Sequence, residues 1–280
     1  MVYFVLIDFL VYNRLLGALV LALLIATISY KFRAVSISGA IGMMIMGTIV
    51  FGFGGPIFSI PLLFFFVSSS ILSAIKNSAK KNSLKVLDKT GPRDIWQVCA
   101  NGGVATVCVI ISFFTGDIRW FFPYLASLCE ASSDTWATEI GTLFRGSPRS
   151  IITLEKVQPG QSGGISIPGS AAAILGASMT MLFTLWIEYL ILPNSSFQIN
   201  YWIAAANSGL AGCVLDSILG GSLQVQYYCR ECSGLCERKF HCGKETQLVR
   251  GSKIINNDVV NFAGTGFAAV VAVIIIFLIC

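Results

Sequence analysis

From residue 15 to residue 279 the chain is a succession of apolar runs, most of them as long as a bilayer is thick. A helix rises 1.5 Å per residue, so about 20 mostly apolar residues cross the hydrocarbon core. Eight runs qualify as spans: 15–30, 37–54, 56–75, 98–115, 119–133, 166–191, 201–220 and 258–279, the first and fifth being short. Turn signals part several of them, at Gly54-Gly55-Pro56, Thr115-Gly116-Asp117 and Pro193-Asn194-Ser195-Ser196. Composition agrees. Hydrophobic residues are 55% of the 280 and charged residues 12%, where a soluble domain carries about 25% charge. A soluble enzyme, a disordered chain and a nucleic-acid-binding module are excluded. The expected fold is an all-α, polytopic transmembrane helix bundle of about eight spans, one integral membrane domain over residues 1–280.

The charges test this segmentation. With eight spans, the connections 31–36, 76–97, 134–165 and 221–257 fall on one face, and they hold 17 of the 19 Lys and Arg. Only Arg14 and Arg119 fall on the other. The positive-inside rule makes the first face cytosolic and both termini non-cytosolic. Residues 1–13 are apolar apart from Asp8 and too short to span. Lacking a basic n-region and a clear cleavage site, they read as an interfacial helix or an extension of the first span rather than a signal peptide. The sequon Asn194-Ser195-Ser196 falls on the non-cytosolic face but hugs a span end, where an unused turn sequon is the simpler reading.

Val35-Ser36-Ile37-Ser38-Gly39-Ala40 and Ile165-Ser166-Ile167-Pro168-Gly169-Ser170 open the second and sixth spans in the same direction. Asn101-Gly102-Gly103 and Asn261-Phe262-Ala263-Gly264 open the fourth and eighth. This pattern suggests two parallel four-span halves, although small residues recur at helix contacts in any bundle.

Intramembrane polar residues are costly and point to function. Asn101, Glu130, Asp134, Asp216, Asn257, Asp258 and Asn261 collect near the cytosolic ends of four spans, with Glu188 alone near the far side. Gly102-Gly103, Gly163-Gly164 and Gly220-Gly221 lie at the same level. Gly160-Gln161-Ser162-Gly163-Gly164 runs into the sixth span and would offer backbone N–H groups to an anion. Nearby carboxylates suit magnesium shared with phosphates. No Walker-type or dinucleotide-binding glycine motif is present, and His241, the one His, makes a Ser-His-Asp triad improbable.

Four of nine cysteines crowd into residues 221–257: Cys229, Cys232, Cys236 and Cys242, with His241 beside the last. This spacing suits structural zinc in a reducing compartment. The expected ligands are Cys229, Cys232 and Cys242, with Cys236 or His241 as the fourth. Cys236 is favoured because adjacent His241 and Cys242 do not easily share an ion. Free thiols are the alternative.

Five segments carry a family resemblance: Gln97-Val98-Cys99-Ala100-Asn101-Gly102-Gly103; Asp134-Thr135-Trp136-Ala137-Thr138-Glu139-Ile140-Gly141; Gly160-Gln161-Ser162-Gly163-Gly164-Ile165-Ser166; Asp216-Ser217-Ile218-Leu219-Gly220-Gly221; and Asn256-Asn257-Asp258-Val259-Val260-Asn261. In these the chain resembles the transmembrane protein 19 family, which includes the plant phytyl-phosphate kinase. It departs from the family pattern at Ser68-Ser69-Ser70 and at Gly91-Pro92-Arg93, both beside the basic loop. The resemblance implies a CTP-dependent kinase acting on a membrane-embedded prenyl monophosphate. Asp134, Glu139, Asp216 and Asp258 would hold magnesium or align the acceptor. Asn101, Gly102, Gly103, Gly160, Ser162, Gly163, Gly164, Asn257 and Asn261 would hold phosphates. A transporter or carrier, and a non-catalytic scaffold or signalling protein, are the competing readings. The expected site is the endoplasmic reticulum or the plasma membrane.

Overall fold

The computed structural model describes residues 2–75, 86, 89, 91–144, 146–191 and 197–279, with side chains from Asn13 to Leu278. Lys76, Lys80, Lys81, Lys85, Arg145, Cys280 and the sequon at Asn194 lie outside these residues. The helices are α1 (Val2–Lys31), α2 (Ile37–Ile49, extended by a π-turn over Val50–Gly54), α3 (Gly55–Ala74), α4 (Ile95–Thr115), α5 (Phe121–Gly141), α6 (Ile167–Ile191), α7 (Ile199–Ser222) and α8 (Asn257–Ile274, extended by a π-turn over Ile275–Ile279). Residues 2–13 continue straight into α1, so the N-terminal stretch is an extension of that helix.

The unbroken apolar stretch Ile37–Ala74 folds back on itself at Gly55. Its φ of +67° is one that only glycine takes without strain. Arg93 reveals the hairpin. Its carbonyl accepts from Ser36 N at 3.0 Å, and its guanidinium donates to Ser70 and Ser73 at 3.4 and 3.2 Å. The start of α2 and the end of α3 therefore share a face, and the long loops lie on it. At the opposite end Arg14 meets the Phe53 carbonyl, Arg119 pairs with Asp117 at 2.7 Å, and Arg119 stands 4.5 Å over the Phe277 ring. The two segregated cations, Arg14 and Arg119, thus sit away from the loop-rich face.

Among the described residues six stretches are long and apolar enough to cross a membrane: Asn13–Lys31, Ile37–Ala74, Ile95–Thr115, Ile167–Ile191, Ile199–Ser222 and Asn257–Leu278. The second contains the Gly55 hairpin. Helix α5 is absent from this set for a physical reason. It is the central helix, buried at every position from Phe121 to Ser133 and packed by α3, α4, α6, α7 and α8. A helix that touches protein on all sides has no need of lipid-facing hydrophobicity and tolerates Glu130, Asp134 and Glu139. It also runs to Gly141, past the end at 133 read from sequence.

Around the first half of α5, Phe58, Phe121, Phe122, Tyr124 and Trp202 pack edge to face. The buried Tyr124 hydroxyl donates to the Phe58 carbonyl. Further along, small residues let α6 close in. Ser133 donates to the Ala173 carbonyl at 3.0 Å and Thr180 to Ser132 at 2.8 Å. This is the packing expected where apolar surface gains nothing by leaving lipid.

The loops are not wholly irregular, which amends the all-α expectation. Strands β1 (Arg149–Ser150) and β2 (Gly164–Ile165) pair antiparallel. Between α7 and α8, β3 (Gln226–Cys229) is the middle strand of an antiparallel sheet, flanked by β4 (Gly234–Cys236) and β7 (Gln247–Arg250). β5 (Phe240–His241) pairs with β6 (Lys244–Glu245). Val225, Tyr227, Cys229 and Cys236 form a small core of their own beneath this sheet.

Candidate functional site

The N-terminal turns of α4 and α8 bring the first polar group together. Asp94 caps α4 through a capping box with Gln97, and Asn256 caps α8 at Val259 N. Lys89 bridges the two helices, 2.7 Å from Asp94 and 2.5 Å from Asp258. Burial draws the Lys89 pKa down, but its bonds to Asp258 and Asp94 outweigh this and raise it. Burial pushes Asp94 up, but Lys89 and the Gln97 N–H bring it below the ordinary carboxylate value.

One to two turns deeper, Asn101 and Asn261 meet. The Asn101 amide donates to the Gln97 carbonyl at 3.0 Å, and its oxygen lies 3.5 Å from the Asn261 amide. In the orientation that satisfies both ends of Asn261, its nitrogen donates to Asp216 Oδ2 at 3.2 Å and to the Asn257 carbonyl at 2.9 Å. Below Asp216 lies Glu130, fully buried, with neither carboxylate oxygen hydrogen-bonded among the described residues. A Cβ on Gly264 would come within 2.5 Å of Glu130 Oε1, so the carboxylate occupies the space that this glycine leaves. Asp134, one turn along α5, lies within electrostatic reach of both acids.

The four carboxylates expected at one centre therefore divide in part, with Glu139 still within electrostatic reach of Asp134. Asp134 and Asp216 gather with Glu130. Asp258 belongs to the Lys89 clamp. Glu139 accepts from Ser73 at 2.5 Å, and Ser73 accepts in turn from Arg93. Burial lowers the Arg93 pKa, and the Glu139 charge partly restores it. Trp136 donates to Ser68 at 3.3 Å, holding the end of α3 against α5.

Arg93, Gln97 and Asn101 also form the loop-side end of a slot between α2 and α3, closed by α1 and α4. Its walls are apolar: Met43, Met46, Phe51, Leu62, Phe65 and Phe66, with Gly102 at its back. Gly103 faces Phe262 instead.

The glycine-rich segment before α6 sits at the foot of α7. Gly163, at φ +76°, lies against Gly221 so closely that a Cβ on it would fall 2.3 Å from the Gly221 Cα. The Gly163 carbonyl accepts from Ile151 N, and Gly164 N donates to Gln161. Ser162 donates to Glu237, which also accepts from Gln224 at 2.9 Å. Gly160, at φ +87°, forms the turn before them. These residues thus join α7 to the sheet between α7 and α8, one turn beyond Asp216. Arg250 adds to the joint by donating to the Gly220 carbonyl at 3.0 Å; burial lowers its pKa, and Glu237 partly restores it.

In the segment between α7 and α8, Cys229, Cys232, His241 and Cys242 bring their ligand atoms within 4.8 Å of one another. Cys236 stays apart, its thiol donating to the Arg238 carbonyl at 3.6 Å. Sequence reasoning found Glu130 by its depth without giving it a role, and offered Arg93 only as one of the loop cations that could neutralise phosphate. It did not place Ser73 or Glu237 in a site, because both depend on contacts between distant segments.

Fold and site together define a multi-pass helical integral membrane protein with a buried polar site beneath its loop-rich face. The match of residues 20–269 to the integral membrane protein DUF92 model shows that the chain belongs to that family. It is similar to Protein PGR of Arabidopsis thaliana, 28% identical over 94% of this chain and 98% of that one. It is also similar to the uncharacterized membrane protein MJ0933 of Methanocaldococcus jannaschii, 30% identical over 94% of both. Protein VTE6, chloroplastic, of Arabidopsis thaliana is 22% identical over 85% of this chain and 64% of that protein. No solved structure matches.

Proposed function

We propose that this protein is a CTP-dependent kinase that converts a prenyl monophosphate to its diphosphate at the loop-rich face. The observation that carries the reading is the slot. Its walls are apolar, as a lipid tail requires, and it ends at Arg93, Gln97 and Asn101, which suit a phosphate head. The family resemblance drawn from the sequence supplies the reaction class. In this reading all eight helices span, the loop-rich face is cytosolic, and both termini lie opposite. The matching N-caps, Ser36 on Gly39 and Ser166 on Gly169, both at 3.2 Å, support two parallel halves.

The acceptor phosphate oxygen attacks the γ-phosphorus of CTP. A bond from that oxygen to phosphorus forms, the bond from phosphorus to the β-bridging oxygen breaks, and CDP leaves. Such transfer depends chiefly on positioning and charge neutralisation. Arg93 neutralises and orients the acceptor head, and the slot fixes its tail. Asn101 and Asn261 lie where phosphate oxygens would enter. Magnesium would be drawn to the acid group, where Glu130 is buried with neither oxygen hydrogen-bonded among the described residues and Asp134 and Asp216 are within electrostatic reach, although the three carboxylates do not converge on one point as the Cys/His group does. When bound, magnesium would neutralise phosphate charge.

The test is purified protein with CTP, magnesium and prenyl monophosphates of graded length. Diphosphate and CDP in equal amounts are expected. No diphosphate at any length from folded protein overturns the reading. One observation favours a second reading, an ion-coupled carrier: Glu130 lies mid-helix, about 14 Å from the start of α5 and about 17 Å from its end at 1.5 Å per residue, where a transport path is expected to be polar. Counterflow in liposomes distinguishes the two.

A further inference from the structure

We propose that the segment between α7 and α8 is a zinc ribbon whose ligands are Cys229, Cys232, His241 and Cys242, and that Cys236 is not a ligand. A tetrahedral zinc with Zn–S of about 2.3 Å and Zn–N of about 2.0 Å places sulfur and nitrogen about 3.5 Å apart. His241 Nδ1 lies 3.5 Å from Cys232 Sγ and 3.3 Å from Cys242 Sγ. All four ligand atoms fall within 4.8 Å of one another, and none of the three cysteines is in a disulfide. No other group of three or more such side chains converges in this way among the described residues.

The backbone explains how the ligands meet. Cys229 ends β3 and Cys232 stands in the turn to β4, where Ser233 takes φ +50°. His241 ends β5 and Cys242 stands in the turn to β6, at φ +51°, followed by Gly243 at +77°. Left-handed backbone at a non-glycine residue is unfavourable and persists only where its surroundings enforce it. At Cys242 it turns the thiol back beside the preceding imidazole. This removes the objection that adjacent residues do not share an ion. Cys236, in the same small core as Cys229, is set apart by its thiol, which donates to the Arg238 carbonyl at 3.6 Å and lies outside the converging group.

That core has four residues, too few to hold a sheet of short strands without a staple. The metal would supply it. Glu237 follows Cys236 and joins Ser162 and Gln224, so a ribbon fixed by zinc also fixes the joint at the foot of α7.

Metal analysis and zinc-edge X-ray absorption on the full chain, purified without a polyhistidine tag, test the assignment without reference to activity. One zinc per chain is expected, in a shell of three sulfurs and one nitrogen. Cys236→Ser is expected to keep its zinc, and Cys232→Ser and His241→Ala to lose at least tenfold. A shell of four sulfurs, or zinc lost from Cys236→Ser and kept by His241→Ala, overturns the ligand set. A metal-free, monodisperse wild type overturns the site.

Discussion

Lys89 binds Asp258 at 2.5 Å, and through that contact the loop before α4 is tied to the first turn of α8. The same ammonium holds Asp94 at 2.7 Å, so one cation clamps two helix N-termini whose dipoles already favour the carboxylates. The pH dependence follows from the two shifts. The Asp94 pKa is lowered from 3.8, so its contribution is complete above that value and is lost as pH falls below it. The Lys89 pKa is raised from 10.5, so its contribution is complete below that value and is lost only above it. Lys89 and Asp94 are about a third exposed and Asp258 is 12% exposed; the solvent at the shared ammonium limits the clamp to about 1 kcal/mol. Lys89→Met is expected to lower the thermal midpoint by about 2 °C at neutral pH. The gap from wild type should close as the medium is acidified below 3.8. A gap of constant size, followed by intrinsic fluorescence in detergent, would show that the ion pairs contribute nothing.

The contact between Gly163 and Gly221 makes a steric prediction. A methyl group at residue 163 meets the Gly221 backbone at 2.3 Å and the Ser217 carbonyl at 2.9 Å, on a backbone at φ +76°. Both terms act against alanine, and overpacking alone costs about 1–3 kcal/mol. Gly163→Ala is expected to loosen the joint, exposing the segment before α6 to protease at concentrations that leave the wild type intact. Gly146→Ala, where a Cβ meets nothing within 4 Å, is the control. Equal cleavage of the two variants would sink the argument.

Much of this architecture was legible in the sequence, because a bilayer limits the options. Apolar runs gave the helices, and segregated charge placed Arg14 and Arg119 opposite the loops. The end of α5 was misplaced because the hydropathy of a helix reports its lipid contact, and α5 is enclosed by protein. The acids were found by their depth, but their grouping was not. Asp258 sits with Lys89, and Glu139 with Ser73, through contacts between segments far apart in the chain. Glycine spacing suggested a phosphate loop at 160–164, whereas the observed contacts are a backbone joint with α7. For the proposed metal ligands, ordinary backbone would keep His241 and Cys242 apart. The positive φ of Cys242 was invisible in the spacing.

Arg93 tests the slot. Charge-assisted hydrogen bonds contribute about 1.5–3 kcal/mol, or roughly 10- to 100-fold in binding. In the kinase reading, Arg93→Ala is expected to raise KM for the prenyl monophosphate by about that factor and to leave KM for CTP nearly unchanged. Arg93→Lys should recover only part, since an ammonium cannot hold a phosphate with two parallel bonds. Initial rates over a two-substrate grid separate the terms. A change confined to KM for CTP would move the acceptor head away from Arg93. The thermal midpoint is followed alongside, because Arg93 also ties α3 through Ser70 and Ser73.

Glu130 offers the sharpest separation of stability from function. Its carboxylate is buried in the middle of α5, its oxygens have no hydrogen-bond partner among the described residues, and Asp216 and Asp134 are its charged neighbours. An arrangement of this kind costs folding free energy, so its neutral isostere should be tolerated or favoured. Glu130→Gln is therefore expected to keep or raise the thermal midpoint measured without divalent cation. If the acid group holds magnesium, the wild type should gain stability as magnesium is added, and the variant should gain much less. Turnover of the variant should fall at least tenfold at magnesium levels that saturate the wild type. A midpoint that drops sharply in the absence of magnesium would mean that Glu130 holds the bundle together, and a magnesium response equal to wild type would place the cation elsewhere.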